Sequence, residues 1–247
     1  MTPILIDKKC NEVSAGANFS LFILDDHHIY SCGAEKGIGN GKIGDIFKPT
    51  IIKELETIPI SCISAGYMHS ACTDQMGKLY SWGDNSVYQL GHSEEKKLVL
   101  SPIEVKSLNN VKVIQVSCTR SHEYPHTGCI DSEGYAYSWG SAYKGKLGHS
   151  KKWSHKEPKF VEKPSLIQSI KGIKMKEFVA GGIHSALVDT EGNLYTFGCG
   201  SDGRIGHPEQ KGHRYLYRES IPRKVDGLPG KIKSVFSSEV HMVACIQ

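Results

Sequence analysis

Short apolar segments alternate along this chain with polar turns that contain glycine. The clearest example is Gly77–His92, G-K-L-Y-S-W-G-D-N-S-V-Y-Q-L-G-H, which predicts a strand over Leu79–Trp82 that a glycine ends. The same pattern recurs at Gly134–His149 and at Gly192–His207. Recurrence at a regular interval is the signature of a repeat protein, so each copy is interpreted first as a structural unit.

A turn and two further strands precede this segment in each copy. The motif Asp-x-x-Gly, at Asp74–Gly77, Asp131–Gly134 and Asp189–Gly192, predicts a type I turn followed by a left-handed glycine. Upstream lies a strand led by a histidine, and before it a short apolar strand ending in Ala-Gly. The residues that lead the second strand are Phe19, His69, His126, His184 and His241, spaced by 50, 57, 58 and 57 positions.

A strand led by proline closes each copy, and it is predicted to begin at Pro49, Pro102, Pro158 and Pro222. Proline is tolerated at the start or on the edge of a sheet. Helical periodicity is nearly absent, and we expect a short helix only near Pro164–Ile170. Four short strands in roughly 50–58 residues predict an all-β fold. A β-propeller of four-stranded blades is the expected arrangement, because each small sheet buries its faces against its neighbours.

The repeats predict a single array over residues 1–247 rather than separate domains. The predicted units are a partial repeat over 1–12, full repeats over about 13–62, 63–115, 116–177 and 178–231, and a partial repeat over 232–247.

The motifs A-G-x-x-H-S, D-x-x-G-x-L-Y-S-W-G, L-G and P-x-x-V together resemble the regulator of chromosome condensation repeat. That resemblance implies a seven-bladed propeller. This chain holds four full repeats and parts of two more, since T-P-I-L-I at Thr2–Ile6 is similar to the closing strand of a preceding repeat. We therefore expect an incomplete or unusually closed ring: a fragment of a longer protein, a smaller ring, or a ring completed by another chain. Open edges would favour pairing or self-association.

Composition and charge narrow the class of protein further. A net charge of +4 is too small to indicate nucleic-acid binding. No run approaches the roughly 18 apolar residues of a membrane span, and Met1–Cys10 lacks a signal-peptide pattern. Eight cysteines without C-x-x-C spacing indicate reduced thiols, which favours a cytoplasmic or nuclear protein.

The recurring polar residues indicate structural roles rather than chemistry. The histidine position that Phe19 also occupies is predicted to be structural, and His92, His149 and His207 are predicted to form hydrogen bonds within turns. Two glycine patterns, Gly39–Gly44 and Gly140–Leu147, resemble phosphate loops but coincide with repeat turns. No catalytic set stands apart from the repeat, so the chain is predicted to be no enzyme, with no cofactor and no metal.

Function is therefore sought in residues that interrupt the repeat, on loops held by a rigid frame. Extra residues occur at Arg120–His126 and Pro208–Ser220, and a basic, aromatic loop occurs at Lys151–Lys156. The turn tips Gln89, Lys146 and Arg204 vary in charge. Protein interfaces favour arginine and aromatic residues. The candidate partner-binding residues are Arg120, His122, Tyr124, Tyr143, Lys146, Trp153, Arg204, Arg214, Tyr215 and Tyr217.

These observations predict a scaffold that binds a protein partner through loops on one face. The family resemblance implies an alternative, guanine-nucleotide exchange on a Ran-like small GTPase. In the family that activity depends on a projecting β-wedge, and no insertion here is clearly long enough to form one. Some relatives are photoreceptors with clustered tryptophans, but Trp82 and Trp139 belong to the frame and Trp153 stands alone.

Overall fold

The computed structural model describes residues 8–34, 36–92, 96–149, 159–208 and 217–247. Within these ranges the strands form four four-stranded antiparallel sheets and one two-stranded sheet, each built from strands that are consecutive in the chain. The strands are β1 (Cys10–Ala15), β2 (Phe19–Leu24), β3 (Ile29–Gly33), β4 (Ile46–Ile51), β5 (Ile60–Ala65), β6 (His69–Asp74), β7 (Leu79–Asp84), β8 (Leu98–Glu104), β9 (Val113–Cys118), β10 (His126–Asp131), β11 (Ala136–Ser141), β12 (Phe160–Leu166), β13 (Met175–Ala180), β14 (His184–Asp189), β15 (Leu194–Cys199), β16 (Arg218–Lys224), β17 (Ile232–Ser237) and β18 (Met242–Ile246). The predicted all-β fold is confirmed.

We call the sheets blade 1 (β1–β4), blade 2 (β5–β8), blade 3 (β9–β12), blade 4 (β13–β16) and blade 5 (β17 and β18). First strands of successive blades contact one another, as β1 with β5, β5 with β9 and β9 with β13. The first strands therefore lie on the inside of the array and the fourth strands on its outer edge. This is the radial arrangement of a propeller.

The boundaries of the blades differ slightly from those of the predicted repeat units. The predicted starts at 63, 116 and 178 fall inside β5, β9 and β13, so each blade begins about three residues earlier. Blade 1 likewise begins at Cys10. The segment T-P-I-L-I lies outside the described residues.

The closing strand of blade 3 corrects one prediction. Strand β12 pairs Leu166 with Tyr137, just as β8 pairs Glu104 with Tyr80, so Pro164 rather than Pro158 matches Pro102. The equivalent prolines lie inside outer-edge strands, where a missing backbone donor is tolerated. The extra residues of this repeat therefore precede β12 and do not follow it.

A helical turn lies within Pro164–Ile170 as predicted, but the prediction that it is the only one is wrong. The first residues of that range belong to β12, and only Gln168–Ile170 forms one turn of 3-10 helix. Similar single turns connect strands elsewhere, at Lys36–Ile38, Lys53–Leu55, Lys106–Leu108, Tyr143–Gly145 and Ser201–Gly203. In the part of the chain that the structure describes, no helix is long and apolar enough to cross a membrane.

The hydrophobic core lies between neighbouring blades. Ala71 and Leu79 of blade 2 pack with Val113 and Trp139 of blade 3 in one buried cluster, and the clusters on either side follow the same plan. Trp139 is fully buried. Burial of one large apolar side chain is worth roughly 1.5–3 kcal/mol, so each blade is stabilised mainly by its neighbours.

The Asp-x-x-Gly turns close the end of each sheet opposite to the candidate loops. Asp131 Oδ1 accepts a hydrogen bond from the Tyr135 backbone at 2.8 Å, and its Oδ2 accepts one from the Tyr137 hydroxyl at 3.2 Å. Gly134 has φ +80°, as the predicted left-handed position requires. The turn prediction is confirmed.

Candidate protein-binding face

The connections between first and second strands, and between third and fourth strands, leave each antiparallel sheet at the same end. We call this side the loop face. The described candidate residues belong to its connections: Arg120, His122 and Tyr124 between β9 and β10, Tyr143 and Lys146 between β11 and β12, and Arg204 and Tyr217 between β15 and β16. Trp153, Arg214 and Tyr215 lie outside the described residues.

The histidines that lead the second strands tie each blade to the next. Nε2 of His69 lies 3.0 Å from Oγ1 of Thr127, Nε2 of His126 lies 2.8 Å from Oγ of Ser185, and that of His184 lies 2.9 Å from Ser237. Burial lowers the pKa of His69 and His184 to about 4 and that of His126 well below its ordinary value. These neutral imidazoles are structural, as predicted.

The residue after each histidine anchors the turn of the preceding blade. The Thr127 hydroxyl donates to the backbone carbonyl of Gln89 at 2.7 Å, and the Trp139 indole donates to the same oxygen at 2.9 Å. In blade 2, Ser70 and Trp82 share the carbonyl of Gly37 in the same way, at 2.8 and 2.7 Å. The tips of the loop-face turns are therefore held by the next blade.

The second set of histidines acts within each blade. Nε2 of His92, His149 and His207 lies 3.0, 2.9 and 2.8 Å from the hydroxyl oxygens of Ser81, Ser138 and Thr196, respectively. The predicted turn hydrogen bonds are confirmed. Among the described residues, no group of three or more His, Cys, Asp or Glu side chains could hold a metal ion.

The insertion of blade 3, Arg120–His126, contacts two other blades. Ser121 is buried and donates to Glu239 Oε1 of blade 5 at 3.1 Å. The His122 ring stands edge-on to Tyr67 of blade 2, with ring centres 5.4 Å apart. Arg120, His122 and Tyr124 are exposed. The loop thus spans from blade 2 to blade 5 and displays polar and aromatic side chains from fixed positions.

Lys146 lies beneath this insertion and is fully buried. Its ammonium group donates to the backbone carbonyl of Tyr124 and to that of Gly182 at 3.2 Å. Burial lowers the pKa of Lys146 to about 7. The structure therefore corrects the expectation that Lys146 and Gln89, which is 1% exposed, belong to an exposed series of turn tips.

Two candidates in blade 4 are engaged within the protein. Tyr217 is buried and its hydroxyl donates to Glu219 at 2.9 Å, and burial raises the pKa of Tyr217 to about 12. Arg204 donates through Nε to the carbonyl of Ser201 at 2.8 Å, and its guanidinium lies 3.3 Å from Asp202. Neither side chain adds much exposed surface to the loop face.

A group of exposed and half-buried aromatic rings lies at the insertion, and only two of its four members are among the residues predicted from the sequence. Tyr124 and Tyr143 stack with ring centres 4.1 Å apart and are 41% and 42% exposed. The ring centre of Tyr88 in blade 2 lies 6.0 Å from that of Phe160, and Phe160 is 38% exposed. We call Tyr88, Tyr124, Tyr143 and Phe160 the aromatic patch. Tyr88 was detectable in the sequence, because it replaces the turn glycine found at Gly145.

A concave feature lies between the first strands of the five blades. It is a cavity of about 240 Å³ whose walls include Glu12, Gln115 and Glu177. Gln115 Oε1 accepts from the Phe178 backbone at 3.1 Å, and both glutamates accept from backbone amides of the next blade at 3.5 Å. These side chains join neighbouring blades, which gives them a structural role.

The fold and this frame of inter-blade bonds define a propeller that presents variable loops. The family model for the regulator of chromosome condensation (RCC1) repeat matches residues 76–123, 133–188 and 191–245, well over half of the chain. This chain belongs to the RCC1 repeat family. Each matched segment begins near the third strand of one blade and runs into the next blade, so a sequence repeat bridges two sheets.

Comparisons with individual proteins agree with the family. The chain is 30% identical over 238 residues to the E3 ubiquitin-protein ligase HERC2 of Mus musculus, and 32% identical over 197 residues to the ultraviolet-B receptor UVR8 of Arabidopsis thaliana. The match covers 95% of this chain but 5% of HERC2, and 78% of this chain but 42% of UVR8. The ligase match thus concerns the repeat region alone.

Among solved structures, Prp20p from Saccharomyces cerevisiae superposes with a TM-score of 0.81 at 23% identity. The superposition covers 97% of this chain and 56% of that one. At this identity the likeness establishes the fold. The Prp20p structure is described together with its binding to Gsp1p and histones, which is a property of that protein.

Proposed function

We propose that this chain is a propeller scaffold that binds a protein partner through the loop face of blades 2 and 3. The observation that carries the proposal is the insertion Arg120–His126, which leaves the repeat pattern, is fastened to Tyr67 and Glu239, and still exposes Arg120, His122 and Tyr124. Arginine and aromatic side chains on a rigid base are typical of binding hot spots. Rigidity supports affinity, because less conformational freedom is lost on association.

Nucleotide exchange on a Ran-like GTPase is the second candidate. It draws support from the likeness to Prp20p, whose binding to Gsp1p has been described. Such a mechanism would use binding energy to favour the nucleotide-free GTPase and would need no covalent chemistry. Within the described residues, every strand belongs to a blade, so support for a projecting β-wedge is lacking there. A cytoplasmic or nuclear location fits both candidates.

Affinity capture with matched surface variants tests the main proposal. Proteins captured by the wild-type chain are identified, and the strongest binder is purified and measured against two variants. Arg120→Glu combined with Tyr124→Ala alters the loop face, whereas Lys106→Glu alters the exposed opposite face. We expect the first variant to weaken binding at least tenfold and the second to change it less than twofold. The reverse pattern would refute the proposal.

Nucleotide release from purified Ran, with and without the chain, tests the second candidate. Release at the background rate would exclude exchange activity for this chain. Acceleration that Arg120→Glu abolishes would instead make the GTPase the partner of the loop face.

A further inference from the structure

We infer that the aromatic patch is a docking site for an acidic peptide segment that carries an apolar side chain. The inference rests on the proposed function and names the chemistry of the partner. It concerns Tyr88, Tyr124 and Tyr143, which come from three loops of blades 2 and 3, and Phe160, which begins strand β12.

The patch is continuous across two blades. Tyr88 approaches Phe160, and Phe160 pairs across the strands with Ser141. The backbone amide of Tyr143 donates to Oγ of Ser141 at 3.4 Å, and Tyr143 stacks on Tyr124. Each ring is thus linked to the next by a direct contact or through Ser141. A segment of partner chain lying across this surface would meet all four rings.

The backbone beneath the patch is strained. Tyr88 and Tyr124 have φ of +64° and +55°, and Lys144 beside Tyr143 has φ of +60°. A bulky residue is held in this region only at an energetic cost. The equivalent of Tyr88 in blade 3 is Gly145, which adopts φ +77° without that cost. A strained tyrosine that is not fully buried is better explained by binding than by packing.

The charge around the rings is positive. The exposed residues Lys97 and Lys159 occupy equivalent positions, since their carbonyls accept from the backbone amides of Asn85 and Ala142 at 2.8 and 3.0 Å. The ammonium of Lys144 lies 5.8 Å from the centre of the Tyr143 ring. Glu123 is the exposed acid in the described part of these loops.

Among the other described acids near the patch, Glu162 of β12 is exposed, whereas Asp84 and Glu219 are engaged. Asp84 pairs with Lys36 at 3.1 Å and accepts from Gln89 at 2.6 Å, and Glu219 pairs with Arg223 at 2.7 Å. The described lysines around the patch, Lys97, Lys144 and Lys159, outnumber the exposed acids Glu123 and Glu162, and this balance favours an anion. Aromatic rings between lysines suit a segment in which acidic residues flank an apolar anchor.

The probe for this inference is a displayed library of random 14-residue peptides, selected on the full chain. We expect enrichment of peptides in which aspartate or glutamate flanks tryptophan, phenylalanine or leucine. The strongest binder is then synthesised and measured by fluorescence anisotropy. Lys144→Glu combined with Lys159→Glu should weaken it about tenfold or more, and Tyr143→Ala about fivefold, while Lys106→Glu stays within twofold. Unchanged far-ultraviolet circular dichroism would show that the variants fold.

Several outcomes would overturn the inference. These are the absence of enrichment, enrichment of basic or uncharged peptides, and acidic peptides that bind the double lysine variant as well as the wild type. Tighter binding of a 20-nucleotide poly-dT strand than of the selected peptide would point to nucleic acid instead. If Arg120→Glu abolishes peptide binding and the patch variants do not, the patch inference fails and the loop-face proposal stands. Binding lost only in Lys106→Glu would remove both.

Discussion

Blades 2 and 3 share one frame but differ at the turn between the third and fourth strands. Trp82 and Trp139 are both fully buried and both donate to a carbonyl of the preceding turn. In blade 2 the turn residue Gln89 donates to Asp84 at 2.6 Å. Strand register shows that Ser141 replaces Asp84 in blade 3, where Lys146 replaces Gln89.

The difference shows how an insertion changes the frame beneath it. Lys146 has no acid at position 141, and its ammonium is instead held by the carbonyl of Tyr124, which the insertion supplies. The lysine and the longer loop are therefore joined by a direct hydrogen bond, beside the one from Lys146 to Gly182. Trp82 and Trp139, which bond between blades, are the same residue, whereas Gln89 and Lys146, which bond within the loop face, differ.

The equivalence of the two frames is tested most strongly at the tryptophans. Trp139→Ala should cost about 3–5 kcal/mol, and Trp82→Ala the same within about 1 kcal/mol. Trp139→Phe should cost only about 1 kcal/mol, since Phe197 fills this position in blade 4 and Thr127 still donates to Gln89. Urea unfolding followed by far-ultraviolet circular dichroism gives these values. A loss of less than about 1 kcal/mol in either alanine variant would contradict the shared frame.

Acid should weaken the bonds between blades. The pKa of His69 is about 4 in the folded protein against an ordinary 6.5, so the unfolded chain binds a proton more readily between these values. Stability from this group is complete above pH 6.5 and is lost as the pH falls towards 4, by about 2 kcal/mol at pH 5. His69→Phe, which copies Phe19, should therefore lose less on going from pH 7 to 5. Equal losses in variant and wild type would disprove neutral burial of His69.

Alkaline pH should distinguish blade 3 from blade 2. The pKa of Lys146 is about 7 in the folded protein against 10.5 ordinarily, so burial of its charge costs most below pH 7, and the cost declines between 7 and 10.5. Because of this shift in the pKa of Lys146, the free energy of unfolding should increase by about 2 kcal/mol when the pH rises from 7 to 9. Lys146→Met removes this increment, whereas Gln89→Met leaves it. The unfolding free energies of the three proteins at both pH values measure it, and an unchanged increment in Lys146→Met would assign it elsewhere.

The smallest contrast concerns the strained turn. Tyr88→Gly relieves a positive φ but removes ring contacts, so its stability should stay within about 1 kcal/mol of the wild type. Gly145→Ala should cost more, because a Cβ there would lie 2.6 Å from the Ser220 hydroxyl and 2.8 Å from its Cα. Thermal unfolding of both variants compares them. Greater damage from Tyr88→Gly would mean that its ring supports the fold.

Much of the frame was accessible from the sequence because each frame residue recurs in register. His69, Trp82 and the Asp74–Gly77 turn could each be checked against sister copies. The prediction that the closing strand of blade 3 begins at Pro158 was wrong, because this proline, six residues before Pro164, matches the same short motif. The direction of a side chain at a turn tip was not accessible either. Lys146 points inward towards the carbonyls of Tyr124 and Gly182. These acceptors lie 22 and 36 positions away in the chain, so the sequence near Lys146 does not reveal them.

The hydrogen bond from Ser121 to Glu239 affects how unfolding spreads through the array of blades. Most inter-blade contacts join immediate neighbours, so opening of one blade should spread stepwise. This bond instead connects blade 3 with blade 5 past blade 4. Amide hydrogens of β17 and β18 should therefore exchange with solvent more slowly whenever a ligand immobilises Arg120–His126, and exchange at these strands reports from a distance on occupancy of the insertion.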